Sequence, residues 1–350
     1  MDEVVEKRAA KMPGKTIIAA LVCAILLIAA FAVVWFSADD IMRTLGMVAL
    51  ATVAAALVVG FAVAFALRRR TRARRIGATA VLAFLGAATA FSLGVYALAP
   101  SLLFYPHFDE DSFAELQTRP AAEQIEVDTE AGHLSGWLLH NAEDGAPLVI
   151  YFYGNGQNAA PVLVGFQDNG RLDAFAGYNI AVFDYPGYGH TEGSPSEDSL
   201  KSFGLAVYDA LAMRDDVDPD RMVVFGYSIG TGVASFVASE RDVDGLVLMA
   251  PYADGYDLYN SLLDIFHGPL RALVAFPMES ARFARDADVA TLVLASKDDG
   301  TVPYESSARL ADALSDCTFE TFAGFDHNEF WASSDVREAV TAFLAKVAAE

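Results

Sequence analysis

The apolar run Met222-Val223-Val224-Phe225 passes directly into Gly226-Tyr227-Ser228-Ile229-Gly230 and on into the small-residue stretch Gly230-Thr231-Gly232-Val233-Ala234-Ser235. No other feature constrains the fold as strongly. The pattern predicts a buried strand, a sharp turn and a helix, with Ser228 on the turn. Such a turn crowds the backbone, so glycines two residues before and after the serine remove contacts that side chains would make. The strain lifts the hydroxyl clear of the sheet and presents it to a substrate.

The segments around this junction repeat its logic. Pro147 to Tyr153, Ile180 to Tyr185, Met222 to Phe225, Gly245 to Met249 and Thr291 to Ala295 are continuous apolar runs, as strands buried on both faces should be. Helical patterns separate several of them, over 196–214, 230–240, 304–315 and finally 335–347. Gln124 to Thr129 and His133 to His140 read instead as an antiparallel hairpin turning at Glu130-Ala131-Gly132. Strands alternating with helices predict a mostly parallel sheet covered on both faces, with ligands bound beyond the carboxyl ends of the strands. Ser228 lies at such an end.

A serine nucleophile needs a base within hydrogen-bond reach, and the base needs an orienting group. His327, in the polar loop Gly324-Phe325-Asp326-His327-Asn328-Glu329 after the last expected strand, is the candidate base. Asp298 and Asp299, after the strand ending at Ala295-Ser296, are both candidates for the acid that fixes its tautomer. The developing oxyanion needs N–H donors. Gly154-Asn155-Gly156 follows a strand end, and the expected donors are the amide of Asn155 or Gly156 and that of Ile229.

The chain has a formal net charge of −22, yet its mean hydropathy is positive at +0.32. Segregation along the chain reconciles the two values. Residues 16–36, 45–67 and 76–99 are runs of the length of a membrane-spanning helix, with the basic loop Arg68 to Arg75 between the second and third. Charge counting predicts three transmembrane helices with everything after Ala99 outside the cytoplasm. Ala30-Phe31-Ala32 also resembles a signal cleavage site, which would leave two spans and the same orientation. After position 100 there are 13 basic and 41 acidic residues, a field that repels nucleic acid. The two cysteines, Cys23 and Cys317, predict neither a disulfide nor a zinc cluster.

The sequence resembles the α/β-hydrolase superfamily over about residues 115–349, and within it the membrane-anchored serine hydrolases with a short lid. Tyr153-Gly154-Asn155-Gly156 is similar to that subgroup's His-Gly-Asn-Ala loop, with Tyr153 in place of the histidine. The run Asp184-Tyr185-Pro186-Gly187-Tyr188-Gly189-His190-Thr191-Glu192-Gly193-Ser194-Pro195-Ser196-Glu197 follows its Asp-Tyr-Arg-Gly-Tyr-Gly pattern almost residue for residue, with Pro186 in place of arginine. Chain order is serine, acid, histidine, as in that superfamily. The spacing of its acid from Val302-Pro303 selects Asp299, and its His-Asn pair matches His327-Asn328.

The resemblance implies an α/β-hydrolase fold over 121–350, here preceded by a membrane domain (1–100) and a linker (101–120), with a small lid over 255–288. The catalytic residues would be Ser228, Asp299 and His327. Tyr153, Tyr188, Tyr227, Tyr256 and Phe266 are the expected lid or substrate contacts. The expected activity is cleavage of ester or thioester bonds of a small-molecule or lipid acyl substrate, without a cofactor, by an integral membrane protein. The alternatives are a serine peptidase of the same fold and a catalytically silent scaffold that binds a lipid or protein partner.

Overall fold

Among the described residues, eight strands form one sheet in the order β1-β2-β4-β3-β5-β6-β7-β8. They are β1 (Ala122–Thr129), β2 (Gly132–Leu139), β3 (Leu148–Phe152), β4 (Asn179–Phe183), β5 (Met222–Tyr227), β6 (Gly245–Met249), β7 (Thr291–Ser296) and β8 (Cys317–Phe322). The architecture is that of a computed structural model, which describes residues 103–349 except 131, 144, 263, 265 and 275, and before them only positions 58, 80, 84, 86–88 and 94.

The strands β1 and β2 pair antiparallel, and β2 joins β4 antiparallel; from β4 to β8 every pairing is parallel. Every residue of β3 to β7 is buried, which is why those strands read as unbroken apolar runs. The half-exposed edge strand β8 alternates instead.

Among the described residues from Glu110 on, eight helices accompany the sheet: α1 (Glu110–Gln117), α2 (Ala159–Asp168), α3 (Glu197–Ala212), α4 (Gly230–Glu240), α5 (Gly255–Leu262), α6 (Ser280–Ala287), α7 (Tyr304–Asp312) and α8 (Ser334–Val347). Short 3-10 turns cover Leu172–Phe175, Gly268–Leu273 and His327–Ala332. Local chemistry sets the helix starts. Ser196 accepts the Ser199 amide at 3.1 Å and Ser199 Oγ accepts the Ser196 amide at 2.8 Å, a reciprocal cap for α3.

Register aligns the edge that carries Ser228. Phe152 lies opposite Gly226, Tyr227 opposite Met249, and Ser296 opposite Phe322. The loops leaving β3, β5, β7 and β8 therefore emerge at one edge of the sheet. Beneath them an aromatic cluster fills the core: Trp331 stacks on Phe225 at 5.6 Å and donates its Nε1–H to the Tyr151 hydroxyl at 3.0 Å. Phe166 and Phe175 close on the same ring at 5.1 and 5.5 Å. Burying a ring of this size stabilises by roughly 3 kcal/mol, and here it anchors the turn that carries His327.

The expectation of three transmembrane helices is corrected. Among the described residues no helix is long and apolar enough to cross a membrane. The longest, α3, has 16 residues, about 24 Å of rise where the hydrocarbon core needs about 30 Å. The expected localisation as an integral membrane protein with an extracytoplasmic hydrolase domain is overturned with it. The segments 16–36, 45–67 and 76–99 themselves fall, apart from scattered positions, outside the described residues. The chain divides into two units, Met1–Leu98 and Ala99–Glu350, and the second carries all the elements named above. The stretch 101–120, expected to be a linker, contains α1 and belongs to that second unit.

Candidate active site

Ser228 stands between β5 and α4 with φ of 53°, in the left-handed region that a non-glycine residue adopts at a cost of roughly 1–3 kcal/mol. The surroundings fix it there. Its amide donates to Met249 O at 2.9 Å. A Cβ on Gly226 would meet Thr231 Cα at 2.5 Å, and one on Gly230 would meet the carbonyl oxygen of Phe152 at 2.1 Å. Helix α4 thus starts against the backbone of β3, and only glycine fits at the contact.

His327 begins the 3-10 turn after β8. Its Nε2 lies 2.8 Å from Ser228 Oγ, and its Nδ1 lies 2.7 Å from Asp299 Oδ2. The histidine and aspartate side chains are 7% and 3% exposed, so the pair is shielded from competing water. Asp299 Oδ1 accepts the amides of Thr301 and Val302, each at 2.8 Å, which orients the carboxylate. Nδ1–H donating to that carboxylate leaves Nε2 as the acceptor facing the serine hydroxyl. Asp298 does something else: its Oδ2 accepts the Gly324 amide at 2.7 Å and braces the loop leading to His327.

Of the expected oxyanion donors, Ile229 opens α4, where the helix dipole favours negative charge. The loop Gly154-Asn155-Gly156 runs beside the serine: a Cβ on Gly154 would lie 3.5 Å from Ser228 Cβ. Gly156 has φ of +69° and faces Tyr105.

The five residues expected to contact substrate have diverse placements. Tyr153 is fully buried; its hydroxyl donates to Asp184 Oδ1 at 3.4 Å and accepts the Tyr185 amide at 3.0 Å. Tyr188, also buried, donates to Asn155 Oδ1 at 2.9 Å. Tyr227 lies beside His327 with ring centroids 5.6 Å apart. Phe266 is buried against Tyr259 in the 255–288 segment. Tyr256 carries the Arg271 guanidinium over its ring at 4.7 Å. The structure brings Tyr188 and Tyr227 to the serine's loops, whereas the contacts of Tyr153 and Phe266 lie in the interior.

Two supporting residues escaped the sequence reading. Asp184 is buried among these loops, and desolvation pushes its carboxyl up to about 6 against the pull of its hydrogen bonds. Its Oδ1 accepts the Ala159 amide at 2.7 Å. Asp326 Oδ1 accepts the amides of His327 at 2.7 Å and Gly300 at 2.8 Å, linking the histidine loop to the aspartate loop. These bonds hold its carboxyl below the usual range. The spacing of Asp326 and Glu329, a capping pair, is the sequence signal that marks it.

Among the described residues, Glu123, His140 and Asp216 bring potential metal-ligand atoms within 4.8 Å of one another. They lie at the opposite edge of the sheet, since His140 follows Leu139, the partner of Ile180 in β4. Arg214 already bonds Glu123 at 3.0 Å and Asp216 at 2.7 Å, so a guanidinium supplies the cation there.

Comparison with known proteins agrees with this architecture. A family described as alpha/beta hydrolase fold matches residues 147–290. An uncharacterized protein of Mycobacterium tuberculosis, Rv2307c, is 30% identical over 238 residues, 65% of this chain and 81% of that protein. The chain belongs to the α/β-hydrolase superfamily. Human ABHD12B is 28% identical over 60% of this chain and 64% of its own length. The Danio rerio protein named lysophosphatidylserine lipase ABHD12 is 25% identical over 59% of this chain and 60% of its own length. Among solved structures, the Pyrococcus furiosus esterase Pf2001 superposes with a TM-score of 0.54 at 18% identity, over 70% of this chain and 98% of that one, a likeness of fold.

Proposed function

We propose that this chain is a serine hydrolase that cleaves ester or thioester bonds of acyl, lipid-like substrates through an acyl-enzyme on Ser228. The observation that carries the reading is the unbroken chain from Ser228 Oγ through His327 to Asp299, at 2.8 and 2.7 Å, on a serine held at φ of 53°. The printed name of the Danio rerio relative, lysophosphatidylserine lipase, supports the same class of substrate.

In this reading His327 Nε2 takes the proton of Ser228 as Oγ attacks the acyl carbonyl carbon. The electron pair of the C=O bond moves onto oxygen, which the amides of Asn155 and Ile229 receive. The C=O bond then re-forms as the bond from the acyl carbon to the leaving oxygen or sulfur breaks, and His327 gives its proton to that leaving atom. A water molecule, deprotonated by the same nitrogen, attacks the acyl-enzyme carbonyl carbon; the bond from that carbon to Ser228 Oγ then breaks, His327 returns the proton to Oγ, and the acid is released. Asp299 stays ionised and holds the ring in the required tautomer.

A fluorophosphonate probe applied to wild type and Ser228→Ala, followed by p-nitrophenyl esters of rising chain length, tests the reading. Wild type should label and Ser228→Ala should not, with turnover reduced by roughly 10⁵–10⁶-fold. A folded wild type that neither labels nor hydrolyses any ester of the series would overturn it.

A further inference from the structure

The sequence around Leu103-Phe104-Tyr105-Pro106-His107-Phe108 has no helical or strand periodicity. Yet this segment is bonded to two loops at the serine. The Asn155 side chain is bonded to it at both ends: Nδ2 donates to the Leu103 carbonyl, and Oδ1 accepts the Tyr105 amide at 3.2 Å. The Tyr188 hydroxyl sits at the same junction, accepting the Tyr105 amide at 2.9 Å and donating to Asn155 Oδ1 at 2.9 Å. Further along, the His107 carbonyl accepts Asn158 Nδ2 at 2.7 Å and the Gly189 amide at 3.1 Å. Pro106 favours extended backbone at Tyr105, which suits a segment laid across loops.

Apolar contacts fasten the same segment. Leu103 and Phe104 are buried, and Phe104 meets Phe276 edge-on at 5.3 Å. Phe276 in turn lies 6.5 Å from Tyr252, whose hydroxyl donates to the Ile229 carbonyl at 3.2 Å. The segment thus reaches the loop of one oxyanion donor directly and that of the other through two rings.

The physical need for such a fastening is clear from the loop it holds. Asn155 lies between two glycines, the residues that restrain backbone direction least. An oxyanion donor must nevertheless point at one place, because a displacement of about 1 Å costs up to about 10²-fold in rate. The side chain of Asn155 is the handle by which its own amide can be aimed.

We infer that Leu103–Phe108 is a positioning strap for the oxyanion loop, acting through the Asn155 side chain and the Tyr188 hydroxyl. This rests on the hydrolase reading above. The strap touches no reacting atom; it sets where the Asn155 amide points.

The test uses the full chain with Asn155→Asp, Tyr188→Phe and the double variant. Asn155→Asp keeps the acceptor for Tyr105 and Tyr188 but loses the donor to Leu103. Tyr188→Phe keeps the buried ring and loses the hydroxyl. We expect each single variant to lower kcat for p-nitrophenyl acetate by about 10- to 100-fold with KM within about twofold, because the amide serves the transition state more than the ground state. Fluorophosphonate labelling should slow in parallel, and the double variant should lose little more than the worse single one, since both act on Asn155. Unchanged kcat in both single variants of an active wild type would overturn the strap alone. So would losses that match a fall in folded fraction by circular dichroism, or additive losses. A wild type without labelling or turnover would instead overturn the hydrolase reading, and the strap's role with it.

Discussion

The Tyr227 hydroxyl donates to the main-chain carbonyl of His327 at 2.5 Å, while the two rings lie nearly parallel, 20° apart. The residue before the serine therefore grips the residue that faces the serine. Burial pushes the phenol pKa up, which keeps it a neutral donor. Tyr227→Phe keeps the ring and loses the bond. Stability should fall by about 1 kcal/mol. The ratio kcat/KM should fall by about 3- to 10-fold, because His327 is less firmly held while the other supports from Asp299 and Asp326 remain. Steady-state kinetics beside urea denaturation separates the two effects; unchanged kinetics would make Tyr227 a packing residue.

The two neighbouring aspartates predict opposite results. Asp299→Asn breaks the hydrogen-bonded chain at the carboxylate that orients His327 Nδ1, and kcat should fall by roughly 10⁴-fold with little change in fold. Asp298→Asn still offers an oxygen to the Gly324 amide, so kcat should stay within about threefold of wild type. Measuring both variants with one ester decides the assignment, and a reversed order would move the acid to Asp298.

Much of the sheet is legible because β3 to β7 are buried on both faces, which leaves unbroken apolar runs between helical patterns. The strand-to-helix turn at Ser228 is legible because its glycines answer to backbone contacts as close as 2.1 Å, a requirement no other residue meets. Helix α2 is not legible, since it contains both Pro161 and Gly165 and follows a glycine loop. Pro161 is tolerated because it falls in the first turn, where no intrahelical N–H bond is lost. The segment 103–108 is held by bonds to the side chains of distant loops, and no local periodicity reports such bonds. Tyr153 looks like a substrate contact because an aromatic residue beside a glycine loop carries the same signal whichever way it turns. Its hydroxyl faces Asp184, a relationship that only the folded chain creates.

Glycine contacts give a matched pair of stability predictions. Gly230→Ala drives a methyl group into the Phe152 carbonyl at 2.1 Å, a backbone contact that cannot swing away. It should destabilise by about 3 kcal/mol or more and abolish turnover, since relief must move the residue next to Ile229. Gly165→Ala, inside α2, meets nothing nearer than the Asn169 side-chain nitrogen at 4.0 Å. It should stabilise by up to about 1 kcal/mol through helix propensity alone. Thermal unfolding of the two variants checks both signs.

The buried carboxyl of Asp184 ties stability to pH. In the folded chain it holds its proton to about pH 6, whereas the ordinary value is 3.8. Between those values the folded state binds more protons than the unfolded state, so stability falls as pH rises. The favourable contribution is fully present below pH 3.8 and is lost once pH passes about 6, a change of about 3 kcal/mol for a shift of this size. Asp184→Asn has no proton to lose. It retains an acceptor for the Ala159 amide but presents an NH₂ group at the second oxygen, beside Gly189, where a Cβ would already lie 1.9 Å from that oxygen. The variant should therefore be less stable than wild type at pH 4, and the difference should shrink or reverse by pH 7. Urea midpoints of both proteins across that range measure it, with every other titrating group cancelling in the difference. Parallel curves would show that Asp184 stays ionised throughout, and that its hydrogen bonds outweigh its desolvation.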